Sequence, residues 1–155
     1  MDAITFRSAT LEDLPILYSF EQGIITAERP YDPTLAVDPI NYYDIKAMIL
    51  SGEVQVTVAL FQGDIVGSAY AKIVKAKPYL KFESYAYLGF MYVRPEYRGR
   101  GISGQIIEQL TDWARSQNLT ELRLEVYAEN SSAIKAYEKA GMTKNMIEMR
   151  INIKS

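Results

Sequence analysis

The sequence predicts a single mixed α/β domain, a central sheet whose first half is antiparallel and whose second half is built on one βαβ crossover. Three observations predict it. Val54, Val56, Val58 and Leu60 alternate with polar neighbours, as a half-buried strand requires. Gln62-Gly63-Asp64 then makes a tight turn into a second alternating run, which reads as a hairpin. From Tyr85 onward, strand-like and helix-like stretches take turns, and the crossover makes its two flanking strands parallel neighbours.

Taken in order, Ile4 to Ser8 is a short strand. Leu11-Glu12-Asp13-Leu14 opens a helix that Thr10 can cap, with Pro15 in its first turn. Glu28-Arg29-Pro30-Tyr31-Asp32-Pro33 is a loop, because two prolines in four residues cannot continue a helix. A second helix covers Tyr42 to Leu50 and stops at Ser51-Gly52. Strands follow at Val54 to Leu60, Ile65 to Val74 and Tyr85 to Val93. Ile102 to Gln117 is an amphipathic helix with Ile106, Leu110, Trp113 and Ala114 on its apolar stripe. Leu122 to Tyr127 is a strand, Ser131 to Ala140 a short helix ending at Gly141, and Met146 to Ile153 a last strand. The order is β-α-α-β-β-β-α-β-α-β.

The 155 residues suit one domain, 1–155, large enough to bury a core without metals or disulfides. A formal net charge of −2 gives no reason to expect nucleic acid or an anionic membrane as partner. The chain has no Cys and no His, which excludes thiol nucleophiles, imidazole bases and the commonest transition-metal sites, so no metal is expected. Acid–base work must fall to carboxylates, tyrosines, lysines or water. The opening MDAITFRSAT lacks the basic stretch and apolar core of a signal peptide, and no apolar run approaches the ~20 residues of a membrane span. The expected location is cytoplasmic.

Val93-Arg94-Pro95-Glu96-Tyr97-Arg98-Gly99-Arg100-Gly101-Ile102-Ser103-Gly104 joins a strand to a helix and places three glycines at the helix start. Glycines let main chain approach a ligand closely. The first N–H groups of the helix and the positive end of its dipole make an anion site, to which Arg98 and Arg100 add charge suited to phosphates. Alone, the stretch also reads as a glycine-rich turn with solvated arginines. Gly99, Gly101 and Gly104 have the spacing of a dinucleotide fingerprint as well, with Glu125 about 20 residues on. That fingerprint wants its first glycine directly after the strand, and Arg94 to Arg98 intervene; it also wants repeated βαβ units, and one is present.

The run resembles motif A of the GNAT superfamily of N-acetyltransferases, in which Gln or Arg is followed three residues later by Gly and, after one more residue, by Gly or Ala. Arg98 and Gly101 match, and Ser103 departs from the pattern while remaining small. Leu124 to Met142 is similar to the family's motif B, N-x-x-A-x-x-x-Y-x-x-x-G-F, through Asn130, Ala133, Tyr137 and Gly141, with Met142 in place of Phe. Ala133 and Tyr137 share a helix face, Asn130 suits an N-cap and Gly141 a C-cap.

The resemblance implies a GNAT fold: a central mixed sheet of six to seven strands, about four flanking helices, and parallel fourth and fifth strands that splay apart. It implies acetyl-coenzyme A as the acetyl donor, with Gly99, Arg100, Gly101, Ile102, Ser103 and Gly104 around the pyrophosphate, assisted by Arg98. Main chain at Met91, Tyr92 and Val93 would pair with the pantetheine arm. Asn130 would cap its helix and border the donor. Tyr137 resembles the family's general acid, protonating the departing thiolate, and Glu125 matches a carboxylate that serves some relatives as base; a water path is the alternative. Others place a Glu on the fourth strand, roughly where Tyr87 falls here. The lack of Cys favours direct attack in a ternary complex over a covalent enzyme intermediate.

No motif encodes the acceptor. The regions that contact acceptors in the family here supply Glu28, Arg29, Tyr31, Asp32, Tyr42, Tyr43, Tyr79, Tyr85 and Tyr87. A tyrosine-rich, partly acidic surround suits a small cationic amine or a peptide N-terminus, while Arg29 suits an acceptor carboxylate. The competing reading is a non-catalytic acyl-CoA-binding regulatory module. A homodimer is an open expectation.

Overall fold

The computed structural model describes residues 3–154. Its elements are β1 (Thr5–Ser8), α1 (Leu14–Glu28), α2 (Ile45–Leu50), β2 (Val54–Phe61), β3 (Asp64–Lys75), β4 (Ser84–Val93), α3 (Ile102–Ser116), β5 (Leu122–Arg123) and α4 (Ser131–Lys139). The strands form one sheet in the order β1-β2-β3-β4-β5, antiparallel except for the parallel β4–β5 pair. Gln62 and Gly63 both take positive φ, 51° and 84°, which matches the hairpin turn to the twist of its strands.

Helices cover both faces. Leu17, Phe20 and Ile24 of α1 and Ile45 of α2 pack with Val56, Val58, Tyr70 and Phe90 on one side. Ile102, Ile106, Ile107 and Leu110 of α3 pack with Ala59, Val66, Ala69, Ala71 and Leu88 on the other. Burial on both sides explains why β3 is apolar nearly throughout. α1 carries Gly23 because the Tyr92 ring lies there: a Cβ would stand 2.8 Å from that ring.

Helix starts differ from the sequence expectation for local reasons. Asp13 accepts from the Thr10 N–H at 2.8 Å and closes a single 3-10 turn, Leu11–Asp13, so α1 proper begins at Leu14. Glu28, expected in the loop, is the last residue of α1, and the prolines act only from the following turn, Arg29–Tyr31. α2 begins at Ile45 rather than Tyr42 because Asp44 is its cap, accepting from the Ala47 N–H at 3.1 Å. The Tyr42 and Tyr43 N–H groups go to buried Glu21, each at 2.8 Å from Oε2. Glu21→Gln keeps an oxygen but loses the charge that strengthens both bonds, so thermal unfolding should fall by about 3–6 °C, for a cost of ~1–2 kcal/mol. An unchanged melting curve would show that this anchor is dispensable.

Two strand expectations fail. β5 was expected over Leu122 to Tyr127, but its ladder holds only at Ala86–Leu122 and Tyr87–Arg123. The cause lies in β4, which has one more residue than β3 between Ser68–Tyr92 and Tyr70–Gly89; Phe90 takes φ 57° and its carbonyl accepts from Ser68 Oγ at 3.1 Å. A bulge of this kind bends its strand, and β4 and β5 part just beyond their two paired positions. The expected last strand, Met146 to Ile153, joins no sheet: the described residues form five strands, not six or seven. There Arg150 is tied to Asp32 and Thr34, and the stretch pairs with no strand.

Candidate active site

Parting β4 from β5 opens a cavity of about 1300 Å³. Leu88, Gly89, Phe90 and Met91 line one wall, Leu124 to Glu129 the other, and Tyr137 reaches it from α4. The end of α1 and the loop after it add Glu28, Tyr31 and Asp32, and residues 147–152 also line it. A smaller hollow of about 550 Å³ adjoins it, lined by Tyr42, Tyr43, Tyr70, Lys72, Tyr85, Tyr87 and Glu125.

The cavity therefore brings together Met91, Glu125, Tyr137, Glu28, Tyr31 and Tyr87. Tyr87 donates its hydroxyl proton to Glu125 Oε1 at 2.9 Å, and burial together with that carboxylate raises the phenol. Burial, reinforced by the charge of Glu28, pushes Tyr137 up to about 12. Burial also raises the Glu28 carboxyl; Tyr42 opposes that shift and Asp32 reinforces it. The site thus pairs a phenol that stays protonated with a carboxyl that titrates nearer neutrality than usual.

Other expected residues lie elsewhere. Arg29 is engaged outside the cavity, donating to Asp38 Oδ1 at 2.7 Å and to the Ala36 carbonyl at 2.9 Å. The Tyr92 ring turns to Phe20, with centroids 4.6 Å apart, and Val93 packs toward α3. Tyr85 lines only the smaller hollow, under the Arg123 guanidinium at 4.5 Å. Exposed Tyr79 lines neither.

The glycine loop lies at the start of α3. Gly99 and Gly101 both take φ +78°, a region that favours glycine, and no atom beyond the adjoining residues lies within 4 Å of where a Cβ would stand at either one. Gly101 is the N-cap, so the N–H groups of Ile102, Ser103 and Gly104 open the helix where it has no main-chain acceptors of its own. Arg98 donates from Nε to the Val93 carbonyl at 2.8 Å and stacks over Tyr92, while Arg100 stacks over Tyr97. Asn130 caps α4, accepting from the Ala133 N–H at 3.3 Å.

One cluster escaped the sequence reading. Tyr127 donates to Asp32 Oδ2 at 2.8 Å, Arg150 donates to Asp32 Oδ1 at 3.1 Å, and the Thr34 N–H donates to the same oxygen at 2.9 Å. Hydrogen bonds from Thr34, Tyr127 and Arg150 hold Asp32 well below the usual carboxylate range, and burial followed by Asp32 raises Tyr127 to about 12. The only local signal was the Asp-x-Thr turn at Asp32 and Thr34; the other partners are 95 and 118 residues away.

The chain thus combines a mixed sheet parted between two parallel strands, a glycine-lined helix start and a tyrosine on the gap. The chain belongs to the acetyltransferase (GNAT) family, whose pattern matches residues 21–142. It is 40% identical over 55 residues to the thialysine N-epsilon-acetyltransferase of Bos taurus, a stretch covering 36% of this chain and 32% of that protein. It thus spans about a third of that relative's length. Its fold is similar to that of a mutant BH1408 protein from Bacillus halodurans, with a TM-score of 0.88 at 18% identity over 97% of this chain and 99% of that one. It is also similar to a predicted acetyltransferase solved with acetyl-CoA from Clostridium acetobutylicum, with a TM-score of 0.74 at 19% identity over 97% of each chain. Among the described residues, no helix is long and apolar enough to cross a membrane.

Proposed function

We propose that this chain is an N-acetyltransferase that moves the acetyl group of acetyl-CoA directly to a primary amine, on a small molecule or a peptide N-terminus, in a ternary complex. The observation that carries this reading is Tyr137 on the cavity between the parted strands, which Glu28 and Glu125 also line. The clear space above Gly99 and Gly101 fits a pyrophosphate laid on main chain, with Arg98 and Arg100 adjacent. Of the three expected strand residues, Met91 lines the gap, and its main chain is suited to pair with an extended amide arm; the Val93 carbonyl already accepts from Arg98 Nε. The donor supplies a thioester, which an amine held in line attacks without a covalent enzyme intermediate.

Tyr137 donates the proton that the leaving thiolate takes up. With its phenol at about 12, it stays protonated beyond the range of an ordinary tyrosine. Glu125, holding Tyr87, takes the proton released by the amine, directly or through water. Among the described residues, the charged side chains on the cavity are Glu28, Asp32, Glu125, Glu129 and Glu148 against Arg150, which favours an acceptor carrying positive charge.

The test is a panel of cationic amines, amino acids and peptides incubated with acetyl-CoA and read by free-thiol release. Release with a cationic amine supports the reading. Tight acetyl-CoA binding with no release across the panel favours the regulatory module. Glu28 gives a second readout: because its carboxyl is raised, kcat/KM for a cationic acceptor should fall as pH drops through its titration. Glu28→Gln should abolish that acid limb and raise acceptor KM by about 10-fold. An unchanged profile would place the acceptor's charge elsewhere.

A further inference from the structure

Alternation along two neighbouring strands supplies most of the smaller hollow. Tyr70, Lys72 and Val74 of β3 share one face of the sheet with Tyr85 and Tyr87 of β4, and Lys72 stands opposite Tyr87 in the register. The exposed Lys72 ammonium lies 5.6 Å from the centroid of the Tyr87 ring. The hydroxyl of that ring donates to Glu125 at 2.9 Å. A cation and an anion thus attend one tyrosine without meeting. Among the described residues no ion pair joins Lys72 to any carboxylate, whereas nearby Arg123 is taken by Glu121 at 2.6 Å.

The hollow and the larger cavity share walls: Tyr42, Tyr43, Tyr70, Tyr87 and Glu125 line both, so one ligand can lie across the two. A volume of about 550 Å³ falls within the range of small-molecule sites. Its two carboxylates already have donors, Asp44 from the Ala47 N–H at 3.1 Å and Glu125 from Tyr87. Lys72 is the basic side chain on this hollow, whereas the larger cavity is lined by Glu28, Asp32, Glu129 and Glu148. Charge therefore changes sign along the path from one to the other. The lining tyrosines add hydroxyl groups able to donate to an anion.

We infer that Lys72 is a specificity residue that receives a carboxylate of the acceptor, while the reacting amine of the same molecule lies toward Glu125 and the acidic cavity. The acceptor is then dipolar: an amino acid or short peptide whose amine and carboxylate are held apart by a chain, rather than a simple polyamine. Tyrosine faces between the two charges suit that connecting chain. Arg29, the residue expected to meet an acceptor carboxylate, is taken by Asp38, and Lys72 fills the role from another strand. The amine end of this inference rests on the transferase reading above. The carboxylate end rests on the hollow alone.

The test pairs ω-amino carboxylates of increasing chain length with alkylamines of the same length, and follows thiol release from acetyl-CoA. At the best length the carboxylate should raise kcat/KM about 5–10-fold in the wild type. Lys72→Met should abolish that ratio and Lys72→Glu should reverse it, while Lys72→Arg keeps most of it. Lys72 is exposed, so the variants should fold. A ratio near one in the wild type, or one that Lys72→Met and Lys72→Glu leave in place, would overturn the assignment. A second measurement needs no turnover. Carboxylates bearing a trimethylammonium group in place of the amine cannot take an acetyl group. By calorimetric titration they should bind about 5–10-fold more tightly than the matching alkyltrimethylammonium ions, an advantage lost in Lys72→Met. Equal binding, or none, overturns the inference whether or not any amine is acetylated. Thiol release from no amine, with that binding difference intact, would instead remove the transferase reading and leave the carboxylate site standing.

Discussion

Tyr137→Phe is expected to lower kcat by ~10²-fold or more while leaving the KM for acetyl-CoA within a few-fold. The change removes one oxygen and keeps the ring, which packs against the Ile102, Ile106 and Leu110 side of the core, so the melting temperature should hold. The size follows from the role. A thiolate departing without a positioned proton must be protonated by solvent, whereas a phenol at about 12 is fully protonated at working pH and placed on the cavity. Single-turnover kinetics on variant and wild type, with a thermal melt as control, make the measurement. Wild-type turnover in the variant would remove Tyr137 from the mechanism.

Gly101→Val should weaken acetyl-CoA binding by ~30-fold or more in a direct titration, with a much smaller effect on the rest of the fold. Gly101 sits at φ 78° and ψ 14°, where a β-branched residue costs ~1–2 kcal/mol of backbone strain, and the loop is free to relieve it by turning its N–H groups off target. Crowding by residues other than its two chain neighbours plays no part, because none of their atoms lies within 4 Å of the position a Cβ would take. The side chain instead enters the space a ligand on that main chain would fill. Unchanged affinity would show that the donor's phosphates are bound elsewhere.

Much of this architecture was legible because local period encodes it. The hairpin of β2 and β3, α3, and α4 with its Asn130 cap lie close to where alternation, amphipathic spacing and capping chemistry put them. What failed depends on pairing at a distance. Residues 124–127 have the composition of a strand, yet a bulge 34 residues earlier than Leu124, at Phe90, removes their neighbour; Gly89 inside an apolar run was its trace in the sequence. Arg29 looked like a free cation for a ligand, but Asp38 takes it. Tyr137, Glu125, Glu28 and Tyr87 were readable as chemistry and do share the cavity, whereas Asp32, Tyr127 and Arg150 meet only through the fold.

The extra residue at Phe90 has a wider consequence. It turns part of a closed sheet into a slot floored by peptide groups, and peptide groups are the same whatever side chains flank them. A donor gripped through such a floor keeps its grip while the rim of the slot, made of tyrosines and acids from the end of α1 and the C-terminal stretch, changes freely. On the proposed reading, donor binding is thereby insulated from mutation at the residues that would select the acceptor.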